Sequence, residues 1–399
     1  MILGRDAVKL ALSLWLVLVL AVGVKTVVSP TVHTVFPKMA TRALDWWAGR
    51  SLYVQREGLG GFPYSPTFAI ALTPFALAGH TAGGILWSWA SIGVYLAGLR
   101  RCVRDVLPGS WVPRYEGLFL IVAMIGAIRG FWNAQSNALI VGFVMLGASA
   151  IARRRWWSAS LLLAAPVFIK IWPMALALLF VALWLRPLGA RFAIVMAVGA
   201  LAPFCTQPFD AVVQEHQAWF AYLTAMTRMI IPTYHDVGTL LRYFEAPIGA
   251  GTYGAIQLAT GASVLVWCLW QRRLGRDTRW LLTIALGMGT GWSMIFGPSV
   301  EYCTFVVLAP AISWALLRAF VVGRGRGLIS VAFGMTMILG MGTIQRALQN
   351  DFPPAYFIMP AGALLFVLWV LVYAQPAPEE KAPTTIPNPR EAVADEKNL

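Results

Sequence analysis

Charge is scarce in this sequence. Only 12% of its 399 residues are Asp, Glu, Lys or Arg, against roughly 25% in a soluble domain. Hydrophobic residues make up 59%, and the mean hydropathy is +0.69. A single soluble core cannot bury that much apolar surface, which excludes a soluble globular domain. Alternation is lacking too. The apolar runs are long and continuous, which leaves helices rather than a barrel as the spanning element. Acidic residues are scarcest: 17, against 31 Lys and Arg, for a net charge of +14. In a soluble chain that excess would point to nucleic acid. There is no aromatic-basic RNA motif, so here it is read through the bias of Lys and Arg toward the inner face of a membrane.

Cysteine is nearly absent. Cys102, Cys205, Cys268 and Cys303 are scattered in or near apolar segments and form no metal pattern with histidine. They are expected to be inert core residues rather than a disulfide framework. The sequence holds no H-E-x-x-H, no P-loop, no G-x-G-x-x-G in a βαβ setting and no recognisable Ser/His/Asp spacing. No convincing cleavage site follows the basic start, so the first apolar run is expected to be a retained helix.

Arginine clusters punctuate the chain: Arg100, Arg101 and Arg104; Arg153 to Arg155; Arg186 and Arg191; Arg272, Arg273, Arg276 and Arg279; Arg324 and Arg326. If each cluster is cytoplasmic, the apolar segments between them cross in pairs. The expected spans lie near 10–28, 84–99, 117–131, 137–152, 156–170, 172–186, 191–205, 251–271, 279–297, 303–322, 327–345 and 356–374. This is an all-α polytopic membrane protein of about 12 transmembrane helices, with both termini inside. It places roughly 21 Lys and Arg inside and roughly 10 outside. Residues 65–79 carry two prolines and are too short for a span, so they are expected to form a re-entrant or juxtamembrane helix on the outer side. Residues 1–374 read as one transmembrane domain with large outer loops at 29–83 and 206–250. Residues 375–399 are Pro-rich and charged, and read as a disordered cytoplasmic tail.

Polar residues collect on the outer side. Lys170 interrupts the run SLLLAAPVFIKIWPMALALLFVALWL at 160–185. A charge at mid-bilayer costs about 2.5–3.5 kcal/mol, so Lys170 is expected at the outer end of a span, with Trp172 and Pro173 turning into the next. An interfacial, snorkelling lysine is the plainer alternative. Asn133, Gln135 and Asn137 recur at a spacing of two beside Arg129, a set that can hold a phosphate or sugar hydroxyls. One of the three is expected to cap the following helix. Glu301 sits between two apolar segments in GPSVEYCT, where an acid needs a partner or a role. His33 precedes a short interfacial helix at 36–50 that carries Asp45, with Trp46 and Trp47 at the membrane surface. His235 and Asp236 follow Pro232, and Asp236 is placed to cap a helix at 237–244. Residues 210–226, with Glu215, His216, Trp219, Phe220 and Tyr222, read as an amphipathic helix at the interface. From the residues alone, an outward polar and cationic cavity suits either a lipid-phosphate-dependent enzyme or a transporter of an anionic solute.

Three motifs in order carry a resemblance: Phe62-Pro63-Tyr64-Ser65-Pro66, Asn133-Ala134-Gln135-Ser136-Asn137 and Lys170-Ile171-Trp172-Pro173. With the run AGRSLY before them, residues 30–190 resemble the family 87 glycosyltransferases, among them polyprenyl-phosphate-mannose-dependent α-mannosyltransferases. The resemblance implies a GT-C-like bundle with outer juxtamembrane helices. It implies an inverting hexosyltransferase, mannosyl by family default, that uses a polyprenyl-phosphate sugar with no cofactor and no metal. The acceptor would be a lipid or glycan. The site would face the periplasmic side of a bacterial cytoplasmic membrane. Lys170 and Arg129 would hold the donor phosphate. Asn133, Gln135 and Asn137, with His235 and Asp236, would contact the substrate, and Tyr64 would stack on the sugar. One departure stands out. Counting back a dozen residues from Ala48-Gly49 reaches Thr34 and Val35, not the acid the family commonly carries there. His33, Asp45 and Glu301 are the candidates for the base. The rival readings are a transporter or flippase and a non-catalytic polyprenyl-phosphate-binding protein. A transporter would predict internal repeats with interrupted helices, and no half-to-half similarity is evident.

Overall fold

The structure, a computed structural model, describes residues 4–54, 61–226, 235–243, 245–246, 248–297, 300–339 and 357–375. The described residues build helices and no strand. In chain order the α-helices are α1 (Arg5–Val28), α2 (Phe36–Trp47), α3 (Pro66–Leu77), α4 (Gly79–Arg101), α5 (Glu116–Ile125), α6 (Ile128–Trp132), α7 (Asn137–Ala152), α8 (Trp156–Ile169), α9 (Pro173–Leu183), α10 (Leu185–Leu201), α11 (Phe209–Met226), α12 (Val237–Tyr243), α13 (Ala250–Arg273), α14 (Thr278–Phe296), α15 (Ala309–Val322), α16 (Arg326–Phe333) and α17 (Ile358–Tyr373).

A helix stands at each expected span, but length divides them. Among the described residues, four stretches are long and apolar enough to cross a membrane: Arg5–Val28, Gly79–Val106, Leu185–Cys205 and Ala250–Arg273. Others fall short. The 11 residues of α9 reach only about 16 Å at 1.5 Å per residue, against about 30 Å of hydrocarbon. Two boundaries differ from the sequence reading. The expected span at 117–131 is broken at Gly126–Ala127 into α5 and α6, and the one at 303–322 starts as a 3-10 helix, Tyr302–Val307. The last part of the 327–345 segment and the tail from 376 lie outside the described residues.

Residues 65–79 form α3, a short helix as expected. Pro66 opens it where its missing N–H is not needed, and the Ser65 side chain accepts from the Phe68 N–H. Helix α4 then begins at Gly79, five residues before the predicted span.

Two hydrophobic clusters organise the molecule. The larger runs through the long bundle, from Trp15 and Tyr95 to Phe366 and Trp369. The smaller joins α2 and α3 to Trp87, Ile140 and Ile169, and to Val212 and Trp219 of α11. It is a cap on one end of the bundle. Helices α4 and α7 come close where glycines face each other. A Cβ on Gly142 would lie 2.9 Å from the Tyr95 Cα, and one on Gly98 would lie 2.9 Å from the Gly142 carbonyl. Small residues allow this approach in the absence of a hydrophobic drive between helices in lipid.

The cap corrects the expected interfacial surface. Trp46 is buried and donates to Thr206 Oγ1 at 3.1 Å, while Trp47 is exposed and bonds Thr73. On α11, Trp219 is buried while Phe209 and Phe220 are exposed, and Glu215 accepts from the Leu52 N–H at 3.0 Å. One face of each amphipathic helix is used against the neighbouring helix rather than the lipid surface.

Asp45 is fully buried within this cap. Its carboxylate meets Arg50 Nη2 at 2.6 Å and Arg42 Nη1 at 3.7 Å, and the Arg42 side chain is itself only 2% exposed. Removing one member of a buried ion group leaves a charge uncompensated, typically at about 3–5 kcal/mol. Asp45→Asn is therefore expected to lower the unfolding temperature of the purified protein markedly, read by intrinsic fluorescence in detergent. An unchanged unfolding temperature would show that the triad is not structural.

Candidate functional site

The site lies where the bundle meets the cap. Four pieces of chain end there: the C-terminus of α8, the turn between α6 and α7, the loop before α3, and the 3-10 helix at 302–307. Helix α8 stops at Lys170, whose backbone is extended (φ −140°, ψ 150°). Pro173, in the first turn of α9, explains the stop: continuing α8 through it would lose its N–H bond and drive its ring against the Ile169 carbonyl. The lysine therefore leaves the lipid run at a helix end, as the sequence predicted.

Between α6 and α7 the chain makes a tight turn. Ala134 takes a left-handed conformation (φ 51°), uncommon for a residue with a Cβ. Its carbonyl is held by Trp87 Nε1 at 3.0 Å, and the Gln135 N–H donates to the Gly130 carbonyl at 2.9 Å. This turn aims the amides of the motif. The expected cap is not formed. Ser136 stands at the N-cap without a side-chain bond, and Asn137 occupies the first helical position.

Asn137 instead bridges two groups. Its Oδ1 accepts from Lys170 Nζ at 3.0 Å and its Nδ2 donates to Thr304 Oγ1 at 3.3 Å. That hydroxyl in turn accepts the backbone N–H of Glu301 at 3.1 Å. Gln135 Nε2 donates to Glu301 Oε2 at 3.3 Å, and Cys303 Sγ donates to the same oxygen at 3.1 Å. Residues from three distant parts of the chain thus form one network running from an ammonium to a carboxylate. The Glu301 and Lys170 charges also act on each other directly through space. Glu301 and Lys170 are each partly exposed, whereas Asn137 and Gln135 are buried.

Tyr64 stands behind the lysine, with Lys170 Nζ 5.8 Å from its ring centre. Burial raises the Tyr64 phenol above the ordinary tyrosine range, the Ser136 hydroxyl beside it opposing this and the Glu301 charge adding to it. At neutral pH it is a protonated donor. Arg129 stacks on Tyr302, 4.9 Å from the ring centre, and donates to its hydroxyl at 3.4 Å. Among the described residues its Nε is buried without a partner, as is Trp172 Nε1. Unpaired buried donors are costly, and these lie on the segments that form the site.

The remaining candidates divide. His235 joins the site through its backbone: its N–H pairs with the Val300 carbonyl at 2.6 Å, one residue before Glu301. Asp236 precedes α12, and its carbonyl accepts from Leu240. Both side chains are buried. The Asn133 carbonyl accepts from the Val35 N–H at 3.0 Å, tying the first outer loop to the turn. His33 is exposed on that loop with φ 48°, and its side chain makes no hydrogen bond among the described residues. Its carbonyl receives Lys25 Nζ at 3.0 Å. The structure thus brings Glu301, Tyr64, Gln135, Asn137 and Lys170 together. It leaves His33 on the exposed loop between α1 and α2 and Asp45 inside an ion triad.

Four contributors escaped the sequence reading: Ser136, Tyr302, Cys303 and Thr304. Cys303 is a free thiol, as are the other three cysteines, but it is bonded to the site carboxylate rather than inert. Thr304, three residues after Glu301, had a legible signal, since an acid and a hydroxyl at that spacing bond reciprocally at a helix start. Among the described residues, no three His, Cys, Asp or Glu side chains gather as a metal site.

No curated protein matches the chain closely enough to be informative. The sequence model of glycosyltransferase family 87 matches residues 62–298, a stretch that opens beside Tyr64, holds the amide turn and Lys170, and stops three residues before Glu301. More than half of the chain is covered, and the chain belongs to glycosyltransferase family 87.

Proposed function

We propose that the protein transfers a hexose from a polyprenyl-phosphate sugar to a hydroxyl of a lipid or glycan acceptor at the outer face of the membrane, with inversion. The observation that carries this reading is the network in which Asn137 holds the Lys170 ammonium and, through Thr304, the Glu301 backbone, while Gln135 and Cys303 hold the Glu301 carboxylate, so that a cation and a carboxylate are fixed at one rim of the bundle. Family membership supplies the glycosyl transfer. The donor class is what the family resemblance implies, the outer orientation follows from the bias of Lys and Arg toward the other face, and the residue roles are inferred from the chemistry of the site.

In this reading Lys170 and Arg129 bind the donor phosphate, the lysine as a point charge and the arginine through its planar guanidinium, whose Nε has no partner among the described residues. Glu301 accepts the proton of the acceptor hydroxyl as its oxygen attacks the anomeric carbon. The bond from that carbon to the phosphate oxygen breaks, and its electron pair leaves with the polyprenyl phosphate. The two cations stabilise the charge that grows on the departing phosphate. Gln135 and Cys303 both bond Oε2 of Glu301, and the capping box with Thr304 also holds the carboxylate, which together orient it toward the acceptor. Tyr64 provides an aromatic face and a protonated hydroxyl for the sugar. Mannose is the family default for the transferred sugar.

The test is transfer of radiolabelled sugar from a panel of polyprenyl-phosphate hexoses to native membrane lipid, with the full-length protein in nanodiscs. Transfer from one donor and none from nucleotide sugars is the expected result. Transfer from a nucleotide sugar alone would overturn the donor class.

A further inference from the structure

A second anion site stands at the other end of the bundle. Helices α7 and α8 run side by side in opposite directions and are joined by the turn Arg153–Arg155. Asn137 opens α7 and Lys170 closes α8, so the residues around that turn lie at the far end from the candidate active site, about 20–24 Å away along either helix at 1.5 Å per residue. A cleft of about 570 Å³ opens there, lined by Arg154, Trp156, Trp184, Leu185, Arg186 and Arg272 among others.

Among the described residues, the cleft arginines form no ion pair with a carboxylate. Arg153, the neighbour of Arg154, is bound by Asp105 at 2.8 and 3.0 Å. Arg154 and Arg186 have no carboxylate partner among the described residues, and both are exposed. Arg272 reaches the Leu183 carbonyl and meets no acid. Asp277, beside the cleft residue Thr278, is used as the cap of α14, accepting from the Arg279 N–H at 2.7 Å. Arg154 is held in a left-handed conformation (φ 56°) on the turn.

The surroundings select an amphipathic ligand. From the cleft, α10 runs away with its apolar side chains unpacked. Leu185, Ile194, Val198 and Leu201 are 51–64% exposed, and of this helix only Leu188 and Phe192 are buried. A guanidinium cluster at a helix end, continuous with an exposed apolar ridge and flanked by tryptophans, matches a phosphate headgroup with its acyl chains alongside. Basic pockets between helices on the inner side of a membrane bind such headgroups.

We propose that this cleft binds the phosphate headgroup of an anionic phospholipid, with the acyl chains on α10. The site is separate from the transfer chemistry and does not depend on it. Full-length protein in non-ionic detergent is titrated with phosphatidylglycerol and with phosphatidylcholine, and bound lipid is counted by native mass spectrometry. Phosphatidylglycerol is expected to bind preferentially. Arg154→Gln and Arg186→Gln are each expected to weaken it about fivefold, the equivalent of about 1 kcal/mol per basic residue at an anionic surface. Arg273→Gln, an exposed arginine of the same basic run outside the cleft, should change nothing. Three outcomes would overturn the proposal: equal binding of phosphatidylcholine, equal loss in Arg273→Gln, or full displacement of lipid by millimolar inorganic phosphate, which would mark a site for free anions.

Discussion

Glu301→Gln is expected to lower sugar transfer by about 10²–10⁴-fold, the usual contribution of a positioned general base, while leaving donor binding within a few-fold of wild type. The substitution keeps size and one hydrogen-bonding oxygen. Gln135 and Cys303 can still donate to that oxygen, and the bond from the Glu301 N–H to Thr304 is untouched. What disappears is the ability to take a proton. The readout is therefore kcat against the affinity for polyprenyl phosphate, measured on protein whose unfolding temperature is unchanged. A fall in affinity with kcat preserved would assign Glu301 to binding. Full activity would move the base to His33, which lies on the loop tied to Asn133 through Val35. His33→Ala run in parallel separates the two. Asp45 is not an equal competitor, because its carboxylate is fully buried between two guanidiniums.

Much of the frame was legible because local chemistry fixes it. Pro173 cannot continue the helix that precedes it, so the break beside Lys170 is written in the sequence. Two prolines and a short apolar run likewise mark α3. The break between α5 and α6 has no proline, and only Gly126 hints at it. The surface orientation of the amphipathic helices was not legible. Trp46 and Trp219 carry the pattern of interfacial anchors, yet a second cluster formed from distant segments buries both. The same holds for the three amides. Asn137 at the start of a helix reads as a cap, but its partners Lys170 and Thr304 lie 33 and 167 residues away. A pattern of local spacing cannot report a bond whose partner arrives by tertiary packing. Asp45 is the converse case: Arg42 three residues before it, on the same helical face, was a readable sign of an ion pair.

Lys170→Met is expected to be the second severe lesion, and it tests why a charge is tolerated at a helix end inside an apolar run. Methionine matches the length of the lysine stem and removes the ammonium. If the lysine serves the fold, losing its bond to Asn137 should destabilise the protein. If it serves a lipid phosphate, the free protein carries a poorly solvated charge whose removal should not harm folding and can raise the unfolding temperature. Transfer should then fall by about 10²–10³-fold, the cost of deleting one donor aimed at developing negative charge, and polyprenyl phosphate should bind more weakly. Lys170→Arg should not restore full activity, because the planar guanidinium is larger and cannot repeat a point contact to Asn137 Oδ1 at 3.0 Å. Activity within threefold of wild type in Lys170→Met would leave Arg129 as the phosphate ligand and reduce Lys170 to a group that reaches for the interface. A drop in unfolding temperature matching the loss of activity would make the network structural. Activity lost with stability kept would place the ammonium on the substrate.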